Sequence, residues 1–173
     1  IRLLRAFFAA NTAPDEPTLG LPTLSLYNPI LERPNPTRFL AEHPEHAMRA
    51  AEEVLRYEGA GSGNPRTALE DIEYRGLKIA AGTVILPSAP AANRDPKVYP
   101  DPDRFDIRRE RRPNAAFGYG PHFCAGHAFA RGQERIALRM LVDAMPGLVL
   151  DPDHDVAFRG WEFRAPGELH VTW

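Results

Sequence analysis

Residues 115–131 read AAFGYGPHFCAGHAFAR and hold Cys124, the single cysteine of the 173-residue chain. Phe117 stands seven positions before the thiol, His122 two before it, and Gly120 and Gly126 on either side. Glycine lets a backbone turn tightly and approach a flat partner closely. The residues that follow keep a helical period, and a helix starting just after the loop aims backbone N–H groups at the sulfur and favours negative charge there. A lone cysteine is most often a small buried hydrophobe. In this setting it reads instead as a metal ligand or a nucleophile.

Three chemistries compete for it. A nucleophile needs a histidine base, and His122 and His127 are the local candidates. Zinc would need further ligands such as His43 and His46, but the paired-cysteine spacing of a structural site is missing. A single axial thiolate on heme iron needs one cysteine only.

The rest of the chain sets bounds on these. One cysteine excludes an internal disulfide framework, so nothing requires an oxidising compartment and a cytoplasmic setting is expected. The net charge of −2 lacks the clustered basic excess that nucleic-acid binding requires. The opening IRLLRAFFAA is broken by NTAPDEP before an apolar segment of secretory or membrane-spanning length forms. Eighteen prolines are spread along the chain and predict many turns.

Residues 35–57 predict a helix, with Ala47, Ala50, Val54 and Tyr57 at helical spacing. Residues 66–89 predict small antiparallel strands with turns at Gly76 and Gly82. Residues 92–114 are too rich in Pro, Asp and Arg for a regular element and read as an ordered meander. A second helix follows the cysteine loop, with Ala128, Arg131, Arg135, Leu138 and Leu141 in register and Ala130, Ile136, Met140 and Ala144 extending an apolar side, until Pro146-Gly147 stops it. Two strands, around Val156 and around His170, are expected to end the chain with a turn near Gly160. The expected class is mainly α with small antiparallel β-sheets, in one unit over 1–173.

FGYGPHFCAG resembles the heme-binding loop of the cytochrome P-450 family, matched at Phe117, Gly120, His122, Cys124 and Gly126. EEVLRY is similar to that family's Glu-x-x-Arg helix, RTALEDIEYRGLKIAAGTVI to its small sheet, AANRDPKVYPDPDRFD to its meander, and FARGQERIALRML to its helix after the cysteine. The resemblance implies the C-terminal heme-binding portion of the fold, with heme b held by Cys124 as axial thiolate. It implies that Arg66 and His122 meet the two propionates and that Phe117 packs near ring and sulfur. Glu53 and Arg56, three apart on one helix face, would form with Arg104 a network locking the meander.

The resemblance further implies a soluble bacterial-type monooxygenase oxidising a small organic substrate with dioxygen and electrons from a ferredoxin-type donor, guided by Arg108, Arg109, Arg111 and Arg112. No dinucleotide-binding fingerprint is present. Counted back from YNP without gaps, the family's oxygen-side helix puts Ala9 and Ala10 at its small pair, Thr12 at its acid and Ala13 at its threonine. A shift of one residue gives Thr12 the alcohol role, and Thr12 is the expected catalytic side chain in proton delivery. Pro14, Pro17 and Pro22 predict a kinked or unformed helix there. Ala9, Ala13, Gly61, Ser62, Trp161 and Phe163 are expected to face substrate. The chain opens on Ile1 and lacks the family's N-terminal part, so a missing portion, or a dimer covering the heme, is expected. Two alternatives stand beside this reading: a heme-thiolate enzyme with peroxide-driven or rearrangement chemistry, and a catalytically silent partner protein.

Overall fold

Ala47, Ala50, Ala51, Val54 and Leu55 recur at helical spacing, and all five are buried. They belong to a helix that, in a computed structural model describing residues 36–160 and 163–173, spans Ala47–Glu58. The expected single helix over 35–57 is divided. A first helix, α1 (Pro36–Glu42), ends at His43, a 3₁₀ turn covers Pro44–His46, and α2 (Ala47–Glu58) follows. Pro44 is the cause, because it lacks an N–H and drives the residue before it out of the helical region. His43 accordingly sits at φ −129° and ψ 66°.

After α2 the chain makes short ladders. Strand β1 (Arg66–Thr67) pairs antiparallel with β4 (Val84–Ile85), and between them β2 (Ile72–Tyr74) pairs with β3 (Leu77–Ile79). Arg75 and Gly76, both at positive φ, form the two-residue turn that the strand twist favours. Helix α3 (Ala89–Ala92) is capped by Ser88, whose Oγ accepts from the Ala91 N–H. The meander and the cysteine loop follow without regular structure apart from a 3₁₀ turn at Gly120–His122.

Helix α4 (His127–Ala144) buries Ala137, Leu138, Leu141 and Val142 against α1 and α2, with Leu40, Ala50, Val54, Phe105 and Leu148 completing the core. Thr37 fastens α1 to the end of α4. Its buried hydroxyl lies 3.0 Å from the Pro146 carbonyl and 2.9 Å from that of Leu148. The apolar side expected through Ile136, Met140 and Ala144 is instead exposed. A helix carries a second apolar stripe at the same period, and α1 and α2 cover only one face of α4.

The chain's end departs from the expected pair of strands. Strand β5 (Val149–Leu150) pairs with β8 (Val171–Thr172), and β6 (Phe158–Arg159) pairs with β7 (Ala165–Pro166). The turn near Gly160 thus belongs to a nested hairpin, while the segment before Val156 leads back from the outer ladder. No helix among the described residues is long and apolar enough to cross a membrane.

Candidate functional site

The cysteine loop is a closed turn. The Cys124 N–H donates to the Phe117 carbonyl at 3.0 Å, and the His127 N–H donates to the Cys124 carbonyl at 3.2 Å. Gly118 and Gly120 stand at φ 76° and 80°, a left-handed conformation that favours glycine. Gly126 has an ordinary φ of −82°. A Cβ there would meet the Cys124 Sγ at 3.8 Å, an ordinary contact. Cys124 is free and exposed at the start of α4.

Around this turn the structure brings Phe117 against His127, with ring centroids 6.4 Å apart, and Phe123 against the same imidazole at 4.7 Å. Arg66 on β1 is exposed and bonds only the carbonyls of Asn64 and Pro65 among the described residues. His122 is exposed as well. The zinc alternative is not assembled. His43 and His46 lie against Phe39, and no group of three or more potential ligands gathers among the described residues.

Beneath the loop lies a buried ionic network. Arg56 is bidentate to Glu53, with Nε to Oε2 and Nη2 to Oε1 both at 2.8 Å, and both side chains are nearly inaccessible. The remaining Arg56 donors reach the carbonyls of Asn93, Pro102 and Arg104. Fully donated guanidinium and doubly accepted carboxylate are what make a buried pair tolerable.

The expected partner of this pair, Arg104, enters only through its carbonyl. Its side chain is exposed and lies 3.8 Å from Asp106. The guanidinium that reaches Glu53 is Arg109, at 3.1 Å, which also donates to the carbonyls of Pro100, Asp101 and Arg104. Arg109 is therefore committed inside the network and not available to a docking partner. Arg108, Arg111 and Arg112 stay exposed.

The connection from network to loop runs through Asn93. This buried residue gives its carbonyl to Arg56 and accepts at its Oδ1 from the Ala115 N–H at 2.6 Å. Tyr99, also buried, donates its hydroxyl to the Pro113 carbonyl. Burial raises the Tyr99 phenol above its usual range. Asn93 and Tyr99 escaped sequence reasoning, as did the parts that Arg109 and Arg131 play in holding the buried carboxylates. For the three that lie in the meander the one signal was its density of donors with few regular hydrogen bonds.

A second carboxylate neighbours the first. Glu52, buried on α2, receives Arg131 Nε from α4 at 2.6 Å, Asn114 Nδ2 at 3.3 Å and Arg111 at 3.3 Å. On the other side of the chain, Gly61 forms an isolated antiparallel bridge with Phe163, and the Arg164 N–H donates to Ala60. The segments of Gly61 and Ser62 and of Phe163, both expected to face substrate, are thus neighbours. Thr12, Ala9, Ala13 and Trp161 lie outside the described residues.

Residues 46–144, from the turn before α2 to the end of α4, match the family model described as Cytochrome P450. This chain belongs to the cytochrome P450 family. It is 43% identical over 148 residues to the nocardicin C N-oxygenase of Nocardia uniformis subsp. tsuyamanensis, covering 83% of this chain and 37% of that protein. It is 38% identical over 148 residues to the mycinamicin IV hydroxylase/epoxidase of Micromonospora griseorubida, with the same coverage. The crystal structure of CalO2 superposes with a TM-score of 0.83 at 33% identity, covering 89% of this chain and 39% of that one. The chain thus spans under half the length of these P450 relatives, and its described elements are a partial P450 fold of helices with small antiparallel sheets.

Proposed function

We propose that residues 1–173 act as one heme-binding unit of a cytoplasmic P450-type monooxygenase. The observation that carries this is the exposed Cys124 in a closed glycine turn, with two exposed nitrogen-bearing side chains, Arg66 and His122, left without a carboxylate among the described residues. That donor set suits a flat group offering one metal position and two carboxylates, because a soft sulfur takes iron and a guanidinium or an imidazole N–H donates to a carboxylate. Heme b meets that description. When bound it supplies the oxygen and electron-transfer chemistry that protein side chains lack.

The residues of the chain have separable tasks. Cys124 would supply the thiolate that holds the heme iron. Phe117 would pack near the ring and the sulfur, and the open space beside Gly120 would let the backbone approach the ring. The Glu53–Arg56–Arg109 network, through Asn93, fixes the entry of the loop. Gly61, Ser62 and Phe163, with Ala9, Ala13 and Trp161, would border the substrate, and Thr12 would supply an exchangeable hydroxyl proton. Exposed Arg108, Arg111 and Arg112 suit an acidic ferredoxin-type donor. The substrate class is a small organic molecule.

The test is the absorbance difference spectrum of the reduced, heme-loaded chain with and without carbon monoxide, on wild type and Cys124→Ala. A strongly red-shifted Soret band in the wild type, lost in the variant, is expected. Heme loading with the same band in both proteins would refute the assignment of Cys124. Turnover supported by a ferredoxin and its reductase, against turnover with peroxide, separates the monooxygenase from the peroxide-driven alternative. Absence of any heme signal would favour a silent partner protein.

A further inference from the structure

Arg131 stands one helical turn beyond His127 on α4, and its single guanidinium makes three kinds of contact. Nε donates to Glu52 Oε1 at 2.6 Å, with Nη2 at 3.4 Å from Oε2. Nη1 lies 3.0 Å from His127 Nδ1. The plane lies over the Phe117 ring, with Cζ 4.6 Å from its centroid. A guanidinium only donates, so Nδ1 of His127 is the acceptor and its proton resides on Nε2.

The two residues that Arg131 holds are the two whose backbones bond Cys124. Phe117 accepts from the Cys124 N–H, and His127 donates to the Cys124 carbonyl. Glu52, the anchor at the far end, is buried on α2 with its side chain 8% exposed. One cation therefore ties both flanks of the cysteine to a rigid helix whose own place is fixed by the core. The separation of 79 positions between Glu52 and Arg131 makes this a tertiary contact that no local turn preference supplies.

We propose that Arg131 is the positioning residue for the Cys124 sulfur, holding Phe117 and His127 against α2 so that the thiol keeps one orientation. The role rests on the heme reading only for its consequence, which is a fixed axial donor. Lysine does not replace it. An ammonium can pair with Glu52, but it has no planar fork to donate to His127 and lie on Phe117 at the same time.

The test compares wild type, Arg131→Lys and Glu52→Gln by amide hydrogen exchange on the heme-free chain, with circular dichroism as the check on folding. Amides of residues 117–127 should exchange about tenfold faster in Arg131→Lys, while those of Ala47–Glu58 stay within about twofold of wild type, because loss of one brace opens the loop and not the core. Glu52→Gln keeps an acceptor for Nε and should give a smaller change of the same pattern. On the heme-loaded chain, Arg131→Lys should lose heme faster and shift the reduced carbon monoxide band away from that of wild type.

Exchange that is unchanged at 117–127, or that rises equally in α2, overturns the positioning role whatever the chain binds. A wild type without a Cys124-dependent band refutes the heme reading alone, since the exchange experiment is decided without heme.

Discussion

Replacing Glu134 with glutamine should stabilise the protein above neutral pH. Glu134 lies on α4 one turn past Arg131, and its Oε2 is buried with no hydrogen-bond partner among the described residues. Burial first, and then the neighbouring Glu52 carboxylate, raise the carboxyl pKa to about 8, with Arg131 only partly opposing them. An unfolded chain ionises the same group near the usual value of 4.5. Between these two values the folded protein binds a proton that the unfolded chain has released, so stability falls as pH rises through this window.

Each unit is worth about 1.36 kcal/mol, so the cumulative loss approaches roughly 3 to 5 kcal/mol once the pH passes the folded-state value. Glutamine has the shape of the protonated acid and no titration, so Glu134→Gln should match the wild type near pH 4 and exceed it by most of that amount at pH 8.5. Urea unfolding followed by circular dichroism, run on both proteins at several pH values from 4 to 9, measures the difference directly. Parallel stability curves would refute the reasoning. So would a glutamine variant less stable than wild type at pH 8.5, which would mean that the ionised carboxylate has a favourable partner in the fold.

The ionic network makes sharper distinctions. Arg56→Gln leaves Glu53 buried with most of its compensation gone and should cost about 3 to 5 kcal/mol in thermal or urea unfolding. Arg109→Gln removes a charged hydrogen bond to Glu53 and should cost about 1.5 to 3 kcal/mol. Arg104→Gln should cost less than about 1 kcal/mol, since its side chain is solvated and only its carbonyl is used. An equal loss from Arg104 and Arg109 would contradict the network described. Thr37→Val removes the hydroxyl that meets the Pro146 and Leu148 carbonyls and should destabilise by about 1 to 3 kcal/mol, read as a lower urea midpoint.

The parts legible from sequence share a physical cause, which is that their residues act within a few positions of one another. The cysteine loop is closed by a bond between residues seven apart, α2 declares itself through alanines and Val54 at helical spacing, and the β2–β3 turn needs only Arg75 and Gly76. Pro44 could have been read in the same way, since a proline inside a helical pattern is a local break. The misassigned features depend on contacts made at a distance. Whether Ile136 or Leu138 is buried depends on which face α1 and α2 cover, because both lie on apolar stripes of equal period. Strands of two residues, such as β5 and β8, have no pattern of their own and exist through pairing across about 20 residues of intervening chain.

Arg104 and Arg109 mark the limit most clearly. Both lie in the meander, five residues apart, and either side chain could reach Glu53 by composition alone. The choice is made by the backbone. Asp101 sits at φ 47°, within a turn whose carbonyls at Pro100 and Asp101 face Arg109, while the Arg104 carbonyl faces both Arg56 and Arg109. Once its carbonyl points into the network, the Arg104 side chain is left to point out of it, and Arg109 occupies the vacant approach to Glu53. The same logic applies to Arg131 and Glu52. A meander with few backbone ladders must satisfy its carbonyls with side-chain donors, and arginine, with five of them on one planar group, is the residue that can serve several carbonyls and a carboxylate together. Arg56 and Arg109 are therefore better understood as the substitute for a sheet than as a surface charge. The loop that carries Cys124 is joined to them through Asn93, which accepts from both Arg56 and the Ala115 N–H.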